Sequence, residues 1–299
     1  MKKTAILRQL LKGNDLTIAP GVYDCITARL AEKVGFPAIQ LLGNVTGASI
    51  LGLPDLGFIT LPEMAHHAKN VAASVSIPLI VDADTGYSGS PLGVMRTVRE
   101  FEQAGAAGIS LEDQVTPKRC ALLEGGTPVV TIEEQVKKLK AAQEARQDPD
   151  FVISARTDAD SVHGLDEAIK RAKAYEDAGA DMALIALSWV RKEGNADRTR
   201  AAAKKIRAAI KGAVSFMFLD DAIRVGNITF EEAKELGYTM TGSNSIRYTV
   251  VKAVTDMLTV LKNEKTTKSF GDRMSTLKEY EAMLDLPSYL ETEKKYATE

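Results

Sequence analysis

Short apolar segments of strand length recur along this 299-residue chain, separated by longer amphipathic segments. Between them, apolar positions follow the helical period over residues 91–103, 132–146, 165–177, 198–210 and 230–235. Several helical segments end at glycine, which turns the chain into the next apolar segment. This alternation predicts parallel strands joined by helical crossovers. The predicted strands cover residues 16–19, 38–42, 78–81, 108–111, 151–155, 182–187, 214–219 and 238–241.

Eight strand–helix units in about 250 residues are typical of a TIM-type (β/α)8 barrel, an α/β fold. A doubly wound sheet is the alternative, but the sequence lacks the G-x-G-x-x-G fingerprint of dinucleotide-binding folds. We therefore expect a single barrel domain over residues 1–299. Residues from about 263 onward fall outside the eight units and carry helical patterns at 274–283 and 288–297. They predict a C-terminal helical extension that packs on a neighbouring subunit.

Composition narrows the function classes. The net charge is −2 and both signs are scattered along the chain, which argues against nucleic-acid and membrane partners. No apolar run approaches the ~20 residues that span a bilayer. The two cysteines, Cys25 and Cys120, are too few for a disulfide scaffold. We therefore expect a cytoplasmic protein.

Two acidic residues follow the predicted strand at 78–81. Asp82 and Asp84 are two positions apart, and in an extended strand such side chains point to the same face. Like charges on one face repel each other unless a cation lies between them. Carboxylate oxygens are ligands that Mg²⁺ and Mn²⁺ prefer. The pair predicts a divalent metal site; the alternative is that one acid caps the next helix and the other is solvated.

Charged side chains also follow the next two predicted strands. Glu112 and Asp113 end one, and Arg156 and Asp158 follow the other. Because the catalytic groups of a TIM barrel gather at the carboxyl ends of its strands, these residues predict a cation site beside a carboxylate-binding site. Arg156 would bind a substrate carboxylate through two hydrogen bonds; the alternative is an ion pair with Asp158. Further candidate residues for this site lie in loops earlier in the chain: Tyr23, Asp24, Gly43, Asn44 and Asp55.

Cys120 lies in a segment rich in proline and glycine, which predicts a loop over the end of the fourth strand. Lys118 and Arg119 precede it, and neighbouring cations favour the thiolate. Cys120 is therefore a candidate acid or nucleophile, and the alternative is an incidental loop cysteine. Histidine is sparse, and His66 and His67 are adjacent in a predicted helix, where neighbours do not share a face. They are not expected to bind a metal together.

These motifs together resemble the isocitrate lyase / phosphoenolpyruvate mutase superfamily. Within it, the chain is most similar to the branch of 2-methylisocitrate lyase, dimethylmalate lyase and carboxyphosphonoenolpyruvate phosphonomutase (carboxyvinyl-carboxyphosphonate phosphorylmutase). The matching segments occur in the family's order along most of the predicted barrel. They are PGVYD at 20–24, LGLPDLG at 51–57, VDADTGY at 81–87, LEDQVTPKRC at 111–120 and ARTDA at 155–159.

The resemblance implies a barrel that exchanges its eighth helix with a neighbour in a homodimer or homotetramer. It implies Mg²⁺ or Mn²⁺ held by Asp82, Asp84 and Glu112, partly through water. It also implies that the Cys120 thiol protonates a departing carbanion. The remaining implied residues are Asp55 and Lys118, with catalytic roles, and Tyr23, Gly43, Asn44 and Arg156, in contact with a small carboxylate or phosphonate substrate.

The chain departs from the family pattern in the half of the site that would bind a second carboxylate. Leu42 replaces a serine before Gly43, and Ala186 replaces a glutamate after the sixth strand. Ala121 and Leu122 follow Cys120, where the lyases have glycine and histidine. The strand ends at 218–222 and 241–245 differ as well. Because loss of a buried charged partner costs several kcal/mol, a tricarboxylate such as 2-methylisocitrate is not the expected substrate.

The sequence predicts a Mg²⁺-dependent lyase that cleaves a carbon–carbon bond in a small 2-hydroxy- or 2-oxo-carboxylate. A phosphonomutase of the carboxyvinyl-carboxyphosphonate type and an oxaloacetate decarboxylase or hydrolase are alternatives on the same scaffold. A non-enzymatic barrel that binds an oxo-acid and a metal is a further alternative, supported by Leu42, Leu122 and Ala186. Retention of the acidic residues, Cys120 and Arg156 favours an enzyme.

Overall fold

One parallel sheet forms the centre of the molecule, described here from a computed structural model that covers residues 1–120, 126–187, 195–218 and 228–297. Its nine described strands pair in the order β1-β9-β8-β7-β6-β5-β4-β3-β2. They are β1 (Thr17–Ile18), β2 (Gly21–Val22), β3 (Ile39–Leu41), β4 (Leu79–Asp82), β5 (Gly108–Glu112), β6 (Val152–Thr157), β7 (Met182–Ile185), β8 (Ala213–Phe218) and β9 (Met240–Ser243).

The sheet closes on itself through the first two strands. β1 pairs with β9 and β2 pairs with β3, so these strands are the two halves of one barrel stave. Pro20 separates them, because proline has no N–H to donate to a neighbouring strand. Its carbonyl still accepts a hydrogen bond from the Gln40 N–H, and the Ala19 N–H donates to Thr241. The TIM-type barrel expected from the sequence is therefore confirmed; residue 219, the end of one predicted strand, lies outside the described residues.

Helices follow the strands on the outside of the barrel. Those predicted at 91–103, 165–177 and 230–235 have the predicted bounds, and the others differ by one to three residues at their ends. The described helices are α1 (Lys3–Lys12), α2 (Cys25–Val34), α3 (Gly43–Leu51), α4 (Leu61–Ser74), α5 (Pro91–Gln103), α6 (Ile132–Ala145), α7 (Asp160–His163), α8 (Leu165–Asp177), α9 (Ala196–Ala209), α10 (Phe230–Glu235), α11 (Ile246–Glu264), α12 (Leu277–Met283) and α13 (Leu286–Tyr296), with a 3-10 helix at Lys268–Arg273.

Helix α1 covers the amino-terminal end of the barrel. Its Leu7 and Leu11 are buried in one cluster with Ile80, Val152 and Met182, which lie near the starts of β4, β6 and β7. These strand positions are therefore withdrawn from water by the helix. The carboxyl ends of the strands, at the opposite end, remain available for a site.

Helix α11 follows the last strand but is not packed like a barrel helix. None of its 19 residues is buried. Val251, Val254, Leu258 and Leu261 are all exposed, which leaves an apolar face uncovered. No helix among the described residues is long and apolar enough to cross a membrane.

Candidate active site

A pocket opens at the carboxyl end of the barrel. The ends of β3 to β9 and the loop residues 118–120 line it. Asp84 does not line it but lies directly behind its wall, with Oδ1 2.8 Å from the Lys118 ammonium. The pocket therefore brings together residues that are far apart along the chain, from Gln40 to Arg247. The site residues predicted from the sequence that line it are Gly43, Asn44, Asp55, Asp82, Glu112, Lys118, Cys120 and Arg156.

Tyr23, predicted to contact substrate, does not line this pocket. It precedes α2, and its N–H donates to the Thr27 hydroxyl at 3.1 Å. Its carbonyl accepts a hydrogen bond from His67 Nε2 at 2.7 Å. These contacts give Tyr23 a role at the start of α2, and a contact with substrate stays a prediction.

Asp82 and Asp84 converge, but through a turn rather than along a strand. β4 ends at Asp82, and Asp84 has a φ of 47°, in the left-handed region. The expectation that strand alternation aligns the two side chains is therefore wrong. A Cβ added to Gly43 would lie 2.9 Å from Asp82 Oδ2 and 3.3 Å from Asp84 Oδ1. Both carboxylates thus approach Gly43, the first residue of α3, and the Gly43 N–H donates to Asp82 Oδ2 at 3.3 Å.

Lys118 joins two of the acids. Its Nζ lies 2.6 Å from Asp55 Oδ1 and 2.8 Å from Asp84 Oδ1. The side chain is only 7% exposed, so these ion pairs are shielded from solvent. Burial alone would lower the pKa of Lys118, but the carboxylates of Asp84 and Glu112 outweigh it and raise that pKa well above its ordinary value. Lys118 is therefore held as an ammonium ion.

For the two buried carboxylates, Asp84 and Glu112, burial has the larger effect on the pKa. Burial raises the pKa of Asp84 to about 7, although the nearby Lys118 ammonium opposes the rise. Burial likewise raises the pKa of Glu112 well above its ordinary value, against the effect of Arg156. Among the described residues, Glu112 Oε1 is a buried oxygen that accepts no hydrogen bond, whereas the buried Asp84 Oδ1 has the Lys118 ammonium 2.8 Å away. A buried carboxylate oxygen without a partner favours a nearby cation.

These groups fit a hydrated divalent ion better than a closed cage of protein ligands. No three described histidine, cysteine or acidic side chains lie close enough to hold one ion together. Mg²⁺, however, commonly keeps several waters and binds through one or two carboxylates. The convergence of Asp82 and Asp84, with the unpartnered oxygen of Glu112, suits that mode. The donor set is oxygen only, which favours Mg²⁺ or Mn²⁺ over softer metals.

Arg156 contacts two acids while it lines the pocket. Its Nε and Nη2 donate to Asp158 Oδ1 at 3.2 and 3.0 Å, and its Nη1 lies 3.3 Å from Glu112 Oε2. The ion pair with Asp158 is therefore present, and the guanidinium also faces the pocket. A fixed guanidinium in this position suits recognition of a carboxylate.

Asp113 belongs to the packing behind the site and not to the pocket. Its Oδ2 accepts hydrogen bonds from the Thr157 hydroxyl at 2.7 Å and the Tyr175 hydroxyl at 2.8 Å, and Arg171 Nη1 lies 3.2 Å away. Its Oδ1 accepts from the Asp158 N–H at 3.0 Å. Asp113 therefore fixes the backbone that carries the Arg156–Asp158 pair.

Backbone hydrogen bonds hold the cysteine segment against the pocket. The Cys120 N–H donates to the Asp55 carbonyl at 3.0 Å, and the Arg119 N–H donates to Gln114 Oε1 at 2.9 Å. The ammonium of Lys118 is directed to Asp55 and Asp84, so it is committed to carboxylates rather than to the thiol. Residues 121–125, including the departures Ala121 and Leu122, lie outside the described residues.

Arg247 is a pocket residue that the sequence reasoning missed. It lies in the first turn of α11, and its buried Nε has no hydrogen-bond partner among the described residues. Its Nη2 donates to the Tyr248 hydroxyl at 2.7 Å. The sequence feature that could have predicted it is an arginine four positions after the end of the last strand, near the carboxyl end of the barrel.

The departures at Leu42 and Ala186 make one side of the pocket apolar. Leu184, Ala186 and Phe216 are buried pocket-lining residues. Leu42 also lines the pocket, and its side chain lies over Gly21, where an added Cβ would overlap it. The pocket therefore has an acidic, arginine-bearing side and an apolar side.

Fold and site together define a TIM-type barrel enzyme with an acidic pocket at the carboxyl ends of its strands. The family model for phosphoenolpyruvate phosphomutase matches residues 7–261. The chain belongs to this family, within the phosphoenolpyruvate mutase / isocitrate lyase superfamily, as the sequence motifs indicated.

Curated relatives carry several activities. The chain is 40% identical to 2,3-dimethylmalate lyase of Eubacterium barkeri, over 100% of this chain and 99% of that protein. It is 37% identical to 2-methylisocitrate lyase of Aeropyrum pernix, over 98% of this chain and 89% of the relative. It is 34% identical to carboxyvinyl-carboxyphosphonate phosphorylmutase of Arabidopsis thaliana, over 97% of this chain and 83% of the relative. Lyases and a mutase thus share this scaffold.

Solved structures agree with the fold. An oxaloacetate acetylhydrolase in complex with the inhibitor 3,3-difluorooxalacetate matches with a TM-score of 0.86 and 32% identity, over 98% of this chain and 97% of that chain. A phosphonopyruvate hydrolase in complex with oxalate and Mg²⁺ matches with a TM-score of 0.87 and 28% identity, over 99% of both chains.

Proposed function

We propose that this protein is a Mg²⁺-dependent lyase that cleaves a carbon–carbon bond in a small 2-hydroxy- or 2-oxo-carboxylate. The observation that carries the proposal is the juxtaposition, in one pocket, of an acidic cluster, the Arg156 guanidinium and Cys120. The similarity to 2,3-dimethylmalate lyase over the full chain supports the same reaction class. The apolar side of the pocket supports a substrate with fewer carboxylates than 2-methylisocitrate.

The metal half of the site consists of Asp82, Asp84 and Glu112, which would hold Mg²⁺ directly or through water. When bound, the ion stabilises negative charge that develops on substrate oxygens. The buried Glu112 Oε1, which accepts no hydrogen bond among the described residues, supports this assignment. The Mg²⁺ and oxalate of the related phosphonopyruvate hydrolase support it as well.

Two arginines provide for carboxylate binding. Arg156 is held by Asp158 and Glu112, so its orientation is set before a substrate arrives. Arg247 also lines the pocket, and its buried Nε, which has no partner among the described residues, offers a second contact. The backbone N–H of Gly43 and the side chain of Asn44, at the start of α3, complete the polar side. Preorganised donors of this kind lose little entropy on binding.

Proton transfers are assigned to three residues. Asp55 accepts the substrate hydroxyl proton, and the Lys118 ammonium, 2.6 Å away, holds its carboxylate in place. As the hydroxyl-bearing carbon becomes a carbonyl, the adjacent carbon–carbon bond breaks and its electron pair goes to the carbon next to the carboxylate. The Cys120 thiol donates its proton to that carbon.

A second candidate is hydrolysis or decarboxylation of oxaloacetate. The placement of Arg156 and Arg247 on one pocket favours a ligand with two carboxylates. An oxaloacetate decarboxylase of Rhodopseudomonas palustris is 45% identical, although over only 58% of this chain. Products separate the candidates, because hydrolysis yields oxalate and acetate, whereas decarboxylation yields pyruvate and carbon dioxide.

The test is a product assay with purified protein and a panel of alkylmalates, 2-methylisocitrate, oxaloacetate and phosphonopyruvate, with Mg²⁺ and with EDTA. We expect 2-oxo-acid release from an alkylmalate that needs Mg²⁺. Cys120→Ala should lower kcat by at least about 100-fold, which is the scale of general acid catalysis. Cys25→Ala is the matched control and should retain activity, because Cys25 lies in α2 outside the pocket.

Conversion of phosphonopyruvate to phosphoenolpyruvate without release of phosphate, and without turnover of the other acids, would favour a phosphonomutase. Full activity of Cys120→Ala would refute the role of Cys120 as the proton donor. Oxalate binding without turnover of any acid in the panel would favour the non-enzymatic alternative.

We also propose that α11 packs on a neighbouring subunit. Its apolar face, with Leu258 at 52% exposure, has no cover within the described part of the chain. Leu258→Asp should shift the protein toward monomer in size-exclusion chromatography with light scattering. Leu92→Asp, at a 76% exposed position on α5, is the control. An unchanged molar mass for Leu258→Asp would count against this interface.

A further inference from the structure

Gln114 is a buried residue whose two amide atoms contact different parts of the site. It is 1% exposed. Its Nε2 donates to Asp158 Oδ2 at 2.9 Å, and its Oε1 accepts from the Arg119 N–H at 2.9 Å. It touches no residue assigned to the reaction, so its contribution acts through its neighbours.

The first of these contacts leads to Arg156. Asp158 uses Oδ1 for the guanidinium of Arg156 and Oδ2 for Gln114. The Asp158 side chain is completely buried, so both oxygens depend on these partners. The direction of the Arg156 guanidinium is therefore tied to the position of the Gln114 amide.

The second contact leads to Cys120. Gln114 Oε1 accepts a hydrogen bond from the Arg119 N–H. Arg119 directly precedes Cys120 in the chain. Cys120 is then fixed from the other side by its N–H bond to the Asp55 carbonyl. The approach of Cys120 to the pocket thus depends on two hydrogen bonds, one of which Gln114 accepts.

The backbone of Gln114 is itself braced. Gln114 forms an antiparallel bridge with Val129. On either side, the Val115 N–H donates to the Pro128 carbonyl and the Val130 N–H donates to the Asp113 carbonyl, both at 2.9 Å. A side chain on a fixed backbone can hold its partners at a fixed separation.

We propose that Gln114 is a positioning residue that sets the placement of Cys120 relative to Arg156. A carboxamide has a donor and an acceptor, so it serves a carboxylate and an N–H at once. A substrate carboxylate bound by Arg156 is then presented to the Cys120 thiol at a constant distance. The proposal rests on the proposed function for the catalytic part, whereas the placement of Cys120 is testable without turnover.

The test uses Gln114→Met, which keeps the length of the side chain and removes both hydrogen bonds. Gln135→Met is the matched control, because Gln135 is also fully buried but neither of its amide atoms has a hydrogen-bond partner among the described residues. Both changes are made in a Cys25→Ser background, so that iodoacetamide labels Cys120 alone among the two cysteines. Labelling rate, kcat, KM and the affinity for oxalate with Mg²⁺ are measured.

For Gln114→Met we expect a changed Cys120 labelling rate, by about threefold or more, and a fall in kcat of roughly 10- to 100-fold, since small misplacements of reacting groups have effects of this size. KM and oxalate affinity should change clearly less than kcat, because Asp158 Oδ1 still holds Arg156 and the acids assigned to the metal keep their contacts. Gln114→Met should lower the residual rate of Cys120→Ala by a smaller factor than it lowers kcat of the parent protein, because the part of its effect that acts through Cys120 is already lost.

Unchanged labelling in Gln114→Met, or the same changes in Gln135→Met, would overturn the proposal. So would a parallel fall in kcat and oxalate affinity, which indicates general loss of structure. If no acid is turned over at all, the proposed function fails, and the labelling rate alone decides whether Gln114 positions Cys120.

Discussion

Gly43→Ala tests the metal half of the site with the smallest change. Gly43 begins α3 with a φ that an L-residue tolerates, so the backbone itself accepts alanine. The added Cβ would lie 2.9 Å from Asp82 Oδ2 and 3.3 Å from Asp84 Oδ1. Ordinary carbon contacts are about 3.5 Å, so the Asp82 oxygen must retreat by roughly half an ångström. Both carboxylates assigned to the metal are therefore displaced by one methyl group.

That displacement is large for a metal ligand. Metal–ligand distances tolerate about 0.2 Å, and disturbed supporting contacts typically lower metal affinity by about 10- to 100-fold. We expect Gly43→Ala to weaken Mg²⁺-dependent oxalate binding by at least about tenfold, or about 1.4 kcal/mol. Isothermal titration of oxalate in the presence of Mg²⁺ measures this change.

Gly47→Ala is the matched control on the same helix. An atom added there meets nothing within 4 Å. Alanine should stabilise the helix interior by about 0.5–1 kcal/mol and leave oxalate binding unchanged. Equal affinities for the two variants would refute the assignment of Asp82 and Asp84 as metal-site residues, because only one of the variants disturbs them.

Two further predictions concern the packing behind the pocket. Tyr175→Phe should lower the free energy of unfolding by about 1.5–3 kcal/mol, because it removes a 2.8 Å hydrogen bond to the buried carboxylate of Asp113. Tyr238→Phe is the control: it removes a hydrogen bond to the neutral Ala203 carbonyl and should lower that free energy by about 1 kcal/mol. Denaturant unfolding measures both losses, and equal losses would contradict the argument that a charged acceptor makes the stronger bond. Burial lowers the pKa of Lys138, so as pH rises through that pKa toward 10.4 the unfolded chain holds more protons and stability increases. Lys138→Met should abolish this increase and the exposed Lys137→Met should keep it, as thermal unfolding at pH 7 to 10 would show.

The sequence by itself determined the barrel. Apolar strand-length segments, amphipathic helical segments and glycine at helix ends are local features, and they predicted eight strands in the observed order. The second half of the first barrel stave, β2 (Gly21–Val22), was not predicted. The sequence also placed the charged residues correctly at the carboxyl edge, because every strand of a parallel barrel ends on the same face. Asp82, Glu112 and Arg156 were found in this way, since each stands at or just after the end of its strand.

Only the tertiary structure decided how these groups meet. Strand alternation did not extend to Asp84, because the chain turns there with a positive φ, and the two acids converge on Gly43 from another element. Lys118 reaches Asp55 and Asp84, and Gln114 reaches Asp158 across 44 positions of sequence. Hydrogen bonds between polar side chains have no period along the chain. They depend on which strand ends and loops the closed barrel brings within about 3 Å of each other, and that distance exists only once the sheet has closed.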